Sequence, residues 1–140
     1  IYGDQIRELF SNDLGYSKED RLKNAGRIKS LCKLLDNNKI NVICAILSIS
    51  EKDRQWCRKN LSAYKEIYID ASIHDISIRG YRDLYNNYDK GKVKNVVGKD
   101  IKFETPKSSN YIIKNNLSKE KFFKESKIVI NSILSEKNEL

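Results

Sequence analysis

The chain has 140 residues, of which 39% are hydrophobic and 33% charged, a balance that fits one globular domain spanning residues 1–140 with a core of its own. No apolar run approaches the roughly 18 residues of a membrane span and no charged-then-apolar leader is present, so a cytoplasmic protein with no membrane partner is expected. The net charge of +8 suggests an anionic partner, but 20 of the 27 basic residues are lysine and many are explained by solvation alone; with no arginine-rich or aromatic-interleaved tract, no nucleic-acid partner is expected.

The chain opens on IYGDQIR, an apolar pair running into Gly-Asp, which reads as the end of a strand and the middle of a larger unit. Residues 17–37, SKEDRLKNAGRIKSLCKLLDN, place Leu22, Ile28, Leu31, Cys32 and Leu35 near helical spacing, with Ser17 and Asp20 as an N-terminal capping pattern. NVICAIL (41–47) and EIYID (66–70) are short β-branched runs of the kind found in buried parallel strands, separated by a polar helical stretch near 50–62. That alternation predicts an α/β fold with a parallel sheet.

From Gly80 to Pro106 the chain is rich in Gly, Lys, Asn and Asp with no sustained apolar period after Tyr85, which predicts a long functional loop or lid over approximately 80–106. NYII (110–113) is the expected last strand, and residues 118–137 a closing helix with Phe122, Ile130, Ile133 and Leu134 on related faces. Cys32, Cys44 and Cys57 are odd in number and lack C-x-x-C spacing, which argues against a disulfide framework or a zinc site and for buried free thiols. His74 is expected to be structural or at the surface.

In an open parallel sheet, ligands collect beyond the carboxyl ends of the strands. Asp4, Ser48 and Asp70 each follow an apolar run and so are candidates for that edge. An aspartate there can orient a hydroxyl, take its proton or hold a hydrated magnesium ion, the common needs of phosphoryl transfer. Arg7, Tyr16, Arg21, Asn24 and Arg27 follow within a short interval. Guanidinium forks match phosphate oxygens, and an aromatic ring can stack a base; the spacing of three between Arg21, Asn24 and Arg27 lets neighbours share a helical face.

These residues resemble the adenylylsulfate kinase family of P-loop kinases, which phosphorylate the ribose 3′-hydroxyl of adenylyl sulfate. IYGDQIR and LGYSKEDRLKNAGR stand in the order and spacing of the family's L-D-G-D-N-[IV]-R and L-G-F-S-x-x-D-R-x-x-N-[IV]-R-R. Ser48 after a strand, Arg79 before the lid, Leu84-Tyr85, GKVKNVVGKD (91–100) and FETP (103–106) extend the likeness over nearly the whole chain.

The resemblance implies a three-layer P-loop kinase fold whose first strand, phosphate-binding loop and first helix would precede Ile1, so the chain as written is expected to be catalytically incompetent. It also implies ATP as phosphoryl donor, Mg2+ as cofactor, an acceptor nucleotide and a homodimer. By resemblance, Asp4 would stand beside the acceptor hydroxyl and magnesium, directly or through water. Arg7, Arg21 and Asn24 would hold the phosphate-bearing end of the acceptor, Tyr16 would stack its base, and Ser48 and Val96 would line the same pocket. Lys94 in the lid would approach the acceptor on closure, and Arg79 would lie against the ATP base.

Several positions depart from the family pattern: Tyr2 for Asp, Ala25-Gly26 for Ile-Arg, Ile46 for Phe, Ile49 for Pro, and Val96-Val97 for Phe-Thr. The lid Phe is one side of the family's adenine sandwich, so Val96 removes stacking worth on the order of 1 kcal/mol, and the lost Arg relaxes selection for sulfate. The expected function is therefore a nucleotide kinase, with cytidine diphosphoramidate of capsule modification preferred as acceptor and adenylyl sulfate of sulfate activation the alternative. A non-catalytic nucleotide-binding remnant is the competing reading.

Overall fold

A computed structural model of the chain describes residues 1–116 and 118–138. They divide into two units, Ile1–Tyr64 with Lys90–Thr105 and Lys65–Asp89 with Pro106–Leu140, taken here in turn.

The first unit is built on helix α1 (Gly3–Leu9), the longer α2 (Lys18–Asn37) and α3 (Glu51–Asn60). Helix α2 starts as its sequence predicts, because Ser17 Oγ accepts the backbone N–H of Asp20 at 3.1 Å and satisfies a donor that the first turn leaves without an intrahelical partner. Ile28 faces the core with Asn24, while Leu31, Cys32 and Leu35 are half-buried and Leu22 lies at the exposed margin. Ile6, Leu14, Ile49, Val96 and Ile101 complete this apolar centre.

The expected buried strand over 41–47 is not formed as a ladder. It makes one parallel bridge, Tyr2↔Ala45, in which the Ala45 N–H donates to Ile1 O at 2.9 Å. Pairing stops there because the partner segment turns into α1 at Gly3. Ile43, Ile46 and Leu47 are accordingly exposed.

Residues 95–101 form a compact turn rather than an open loop. Asp100 accepts the N–H groups of Asn95 (2.8 Å) and Val96 (2.6 Å), and Gly98 donates to Ile101 O at 2.9 Å. Gly98 has a φ of 89°, in the left-handed region that favours glycine. The turn inserts Val96 and Ile101 into the core of the unit.

In the second unit, β1 (Ile67–Asp70) and β2 (Tyr111–Lys114) pair in parallel with Ile67 opposite Tyr111 and Asp70 opposite Lys114, at the positions the β-branched runs predict. Parallel strands need a long crossover, and this one contains α4 (Ile73–Ile76), a π-helical turn (Ser77–Tyr81) and α5 (Arg82–Asp89). The first part of the expected lid is therefore helical. The closing helix α6 (Lys119–Asn138) packs on β2, tied by the Tyr111 hydroxyl, which donates to Glu136 Oε1 at 2.8 Å, and by an ion pair from Lys65 to Glu136.

Two expectations for this unit are corrected. Ile113 is buried on β2, which α6 covers, whereas Ile67 and Ile69 are exposed on β1, and Ile112 is exposed because it alternates to the face of β2 opposite Ile113. Along α6, Phe122, Ser126, Val129 and Ile133 are half-buried, whereas Ile130 and Leu134 are exposed: spacings of four, three and four keep the first set on one stripe, and 130 and 134 stand a step of about 100° away from it. Among the described residues no helix is long and apolar enough to cross a membrane.

Candidate functional site

The first unit gathers five of the predicted residues around the carbonyl of Gly3. Asp4 lies in the first turn of α1, where a carboxylate is favoured by the helix dipole, and its side chain is exposed. One turn on, Arg7 is buried at 6% exposure. It donates from Nε to Gly15 O at 3.2 Å and from Nη1 to Gly3 O at 3.4 Å, and Nη1 stands 3.6 Å from Asp4 Oδ1. A buried guanidinium needs such acceptors, because desolvating its charge without partners is costly. Asn24, 3% exposed on α2, donates from Nδ2 to the same Gly3 carbonyl at 3.0 Å.

Tyr16 lies between the arginines. Its ring centroid is 4.6 Å from the Arg7 guanidinium carbon and 5.4 Å from that of Arg21, and its hydroxyl donates to Asp4 Oδ1 at 3.3 Å. The expected base-stacking surface is thus covered by cations in this structure. Arg21 reaches from α2 to the 95–101 turn: Nε donates to Tyr16 O at 2.9 Å and Nη2 to Asn95 O at 3.1 Å. That second bond brings the turn carrying Val96 against the cluster.

Two features of this arrangement ask for a ligand. Arg7 and Arg21 share the Asp4 carboxylate, with Asp100 also acting on Arg21, yet burial, followed by the charge of Arg7, still holds the Arg21 guanidinium below its ordinary pKa; an anion would relieve both. In addition, Asn24 Oδ1 is buried and accepts no hydrogen bond. Such orphaned acceptors are uncommon because they forfeit solvation without recompense, and a ligand hydroxyl or amine would satisfy this one.

Ser48 is half-buried and gives its carbonyl to Arg54 Nη1 at 2.7 Å. Lys94 is exposed beside Asn95. Val96 is buried at 3% exposure, so it presents no ring-sized platform. Arg27, which the spacing grouped with Arg21 and Asn24, pairs instead with Asp13 through bonds of 2.7 and 2.5 Å and covers the Phe10 ring at 4.2 Å; its hydrogen bonds hold the Asp13 carboxyl below its ordinary pKa. Arg79 and Asp70 belong to the second unit, where Arg79 Nη1 donates to Asn115 Oδ1 at 2.5 Å and Asp70 is paired with Lys114 at the strand ends. His74 is exposed. The thiols expected to be buried are not: Cys44 is exposed, and Cys32 and Cys57 are half-buried, because the segment carrying Cys44 gains only a single bridge.

The sequence reading missed Arg54. At 3% exposure it donates to the carbonyls of Ser48 and Glu104 and to Glu51 Oε2 at 3.0 Å, while Glu104 Oε2 accepts the Glu51 N–H at 2.8 Å. One buried cation therefore locks the Ser48 segment to the end of the 90–105 stretch. Nothing in its local sequence distinguishes it from a surface arginine of an amphipathic helix, since its acceptors come from distant positions. For magnesium, Asp4 offers an exposed, acceptor-only carboxylate, and no group of three His, Cys, Asp or Glu that could hold a metal occurs among the described residues. A hard cation takes such an oxygen donor alongside water and substrate oxygens.

The family described as adenylylsulphate kinase matches residues 1–114. The chain is 34% identical over 110 residues to an adenylyl-sulfate kinase of Pseudomonas entomophila, covering 77% of this chain and 53% of the relative. It is 34% identical over 113 residues to that of Staphylococcus carnosus (79% and 57%) and 30% identical over 116 residues to that of Clostridium kluyveri (82% and 58%). It thus spans about half the length of the curated relatives it matches. Its fold is similar to the APS kinase of Mycobacterium tuberculosis, solved in complex with AMPPNP and APS, at a TM-score of 0.81 and 24% identity over 96% of this chain and 78% of that one.

Proposed function

Since the chain belongs to the adenylylsulphate kinase family, we propose that it serves an ATP-dependent kinase transferring a phosphoryl group to the ribose 3′-hydroxyl of an acceptor nucleotide, and that the acceptor is adenylyl sulfate. The observation that carries this reading is the cluster around Gly3, with two guanidiniums, an exposed carboxylate and the orphaned Asn24 Oδ1. Adenylyl sulfate takes precedence over a cytidine acceptor because the matched relatives carry the name adenylyl-sulfate kinase.

Asp4 takes the hydroxyl proton as the acceptor oxygen attacks, its carboxylate oriented by the Tyr16 hydroxyl and Arg7. Arg7 and Arg21 hold the anionic end of the acceptor, where charge-assisted bonds are about twice as strong as neutral ones. Asn24 Oδ1 accepts from a ligand hydroxyl or amine, and Tyr16 turns its ring to the base as the anion draws the guanidiniums from its face. Ser48 lines the acceptor pocket with Val96 buried behind it, Lys94 approaches from the 90–105 stretch, and Arg79 lies against the ATP base. Asp4 would hold Mg2+ through water, and the ion would supply charge neutralisation at the transferring phosphate. The homodimer and the cytoplasmic location are part of the same proposal.

A cytidine diphosphoramidate acceptor is the second reading, favoured by two observations. Val96 is buried where the family carries a stacking ring, and Gly26 leaves open space on α2 where the family carries a guanidinium. The test uses the protein expressed from its whole reading frame with labelled ATP and Mg2+, offering each acceptor separately. A higher kcat/KM with adenylyl sulfate supports the first reading, a higher value with the cytidine compound replaces it by the second, and transfer to neither rejects both.

A further inference from the structure

Outside the acceptor cluster, two thiols meet. Helix α2 ends at Asn37, and the chain doubles back through Asn38 and Lys39, the latter at a φ of 59°, with the Ile40 N–H donating to Leu35 O at 2.9 Å. The return segment is fixed next to Cys44 by the Ala45 N–H donating to Ile1 O at 2.9 Å, in the parallel bridge Tyr2↔Ala45. Cys44 Sγ is thereby held 3.4 Å from Cys32 Sγ on α2, closer than two sulfurs with no mutual attraction would pack.

From this held contact between an exposed and a half-buried sulfur, we infer that Cys32 and Cys44 are a reversible dithiol–disulfide site, oxidised by small-molecule disulfides of the glutathione class. The inference stands apart from the kinase reading. A bare pair offers too few donors for a structural metal, and no third metal-ligating side chain joins it among the described residues.

The chemistry of the pair is asymmetric. The hydrogen bond between the two sulfurs, opposed by burial, lowers the Cys44 thiol to about 7, and the same bond raises that of Cys32. Cys44, the exposed sulfur of the two, is therefore the nucleophile. Its thiolate attacks one sulfur of the small disulfide, forming a mixed disulfide and releasing one small thiol, which takes up a proton. Cys32 then loses its proton to solvent, and its sulfur attacks Cys44 Sγ and expels the second small thiol. Two protein thiols and one small disulfide become one protein disulfide and two small thiols, a balanced two-electron exchange. The new bond pins α2, which carries Arg21 and Asn24, to the segment that leads into Ser48.

The test incubates the folded full chain with oxidised glutathione, counts its thiols, and maps the linked peptides by mass spectrometry. The expected result is loss of two of the three thiols, a Cys32–Cys44 linked peptide and full recovery with dithiothreitol, in wild type and in Cys57→Ser alike. Cys32→Ser should stop at a glutathione adduct on Cys44. The inference is overturned by an unchanged thiol count, by a bridge that includes Cys57, or by a wild-type chain that stops at the mixed disulfide. Peptide mapping of the wild type decides the matter even if a serine variant fails to fold.

Discussion

Asp4 and Arg21 do different work in the proposed transfer, and the difference is measurable. Asp4 handles a proton in the transition state, so Asp4→Asn should lower kcat by about 10²-fold or more with the acceptor KM changed only a few-fold. An unchanged kcat removes Asp4 from its role. Arg21 binds charge present in the ground state as well, so Arg21→Ala should act mainly on KM, raising it by about tenfold, equivalent to roughly 1.4 kcal/mol. It also removes the bond to Asn95 O that joins α2 to the 95–101 turn. A variant that loses kcat with KM intact contradicts the binding assignment.

At the scale of single elements, α2 carries one local strength and one local weakness. Ser17 caps its start, and Ser17→Ala should cost about 1 kcal/mol. Gly26 sits mid-helix, and an added Cβ would meet nothing within 4 Å, so Gly26→Ala should stabilise the fold by about 0.5–1 kcal/mol. Urea midpoints at constant slope measure both, and destabilisation by Gly26→Ala would mean that the glycine serves a close approach absent from this structure. The cap was legible because its donor and acceptor are three residues apart. Helix α5 was not, because Asn86, Asn87 and Asp89 are weak helix formers and its stripe of Leu84, Tyr85 and Tyr88 is short.

At the scale of the whole molecule, long-range hydrogen bonds and ion pairs within each unit hold segments that share no sequence signal. Arg54→Ala leaves the carbonyls of Ser48 and Glu104 without a buried donor, and should cost about 3 kcal/mol or more in thermal or urea unfolding; a loss below 1 kcal/mol would show that the segments are held otherwise. Acid should act on the partners of such cations. The hydrogen bond from Arg58, then that from Arg54, lowers the Glu51 carboxyl from its ordinary 4.5, and the bond from Lys114 lowers Asp70 from 3.8. A group whose folded pKa is depressed contributes stability that is present above its unfolded pKa and lost as pH falls through the folded one. Tm should therefore hold above about pH 5 and fall as pH drops through about 4 and below, and a Tm flat to about pH 3 would deny these pairs a role in stability.

By itself, the amino-acid sequence determined the elements whose causes are local: the capped helix from Lys18, the two β-branched strands at 67–70 and 111–114, and the closing helix. Through motifs repeated in order, it also determined the family and the identity of Asp4, Arg7, Tyr16, Arg21 and Asn24 as residues that belong together. Only the tertiary structure decided that Arg27 leaves this group for Asp13, that 41–47 makes a bridge instead of a ladder, that Arg54 is a buried tie, and that Cys44 meets Cys32. Each of these depends on a partner brought near by chain reversal, and the spacing of residues along one segment carries no record of what a distant segment places opposite it.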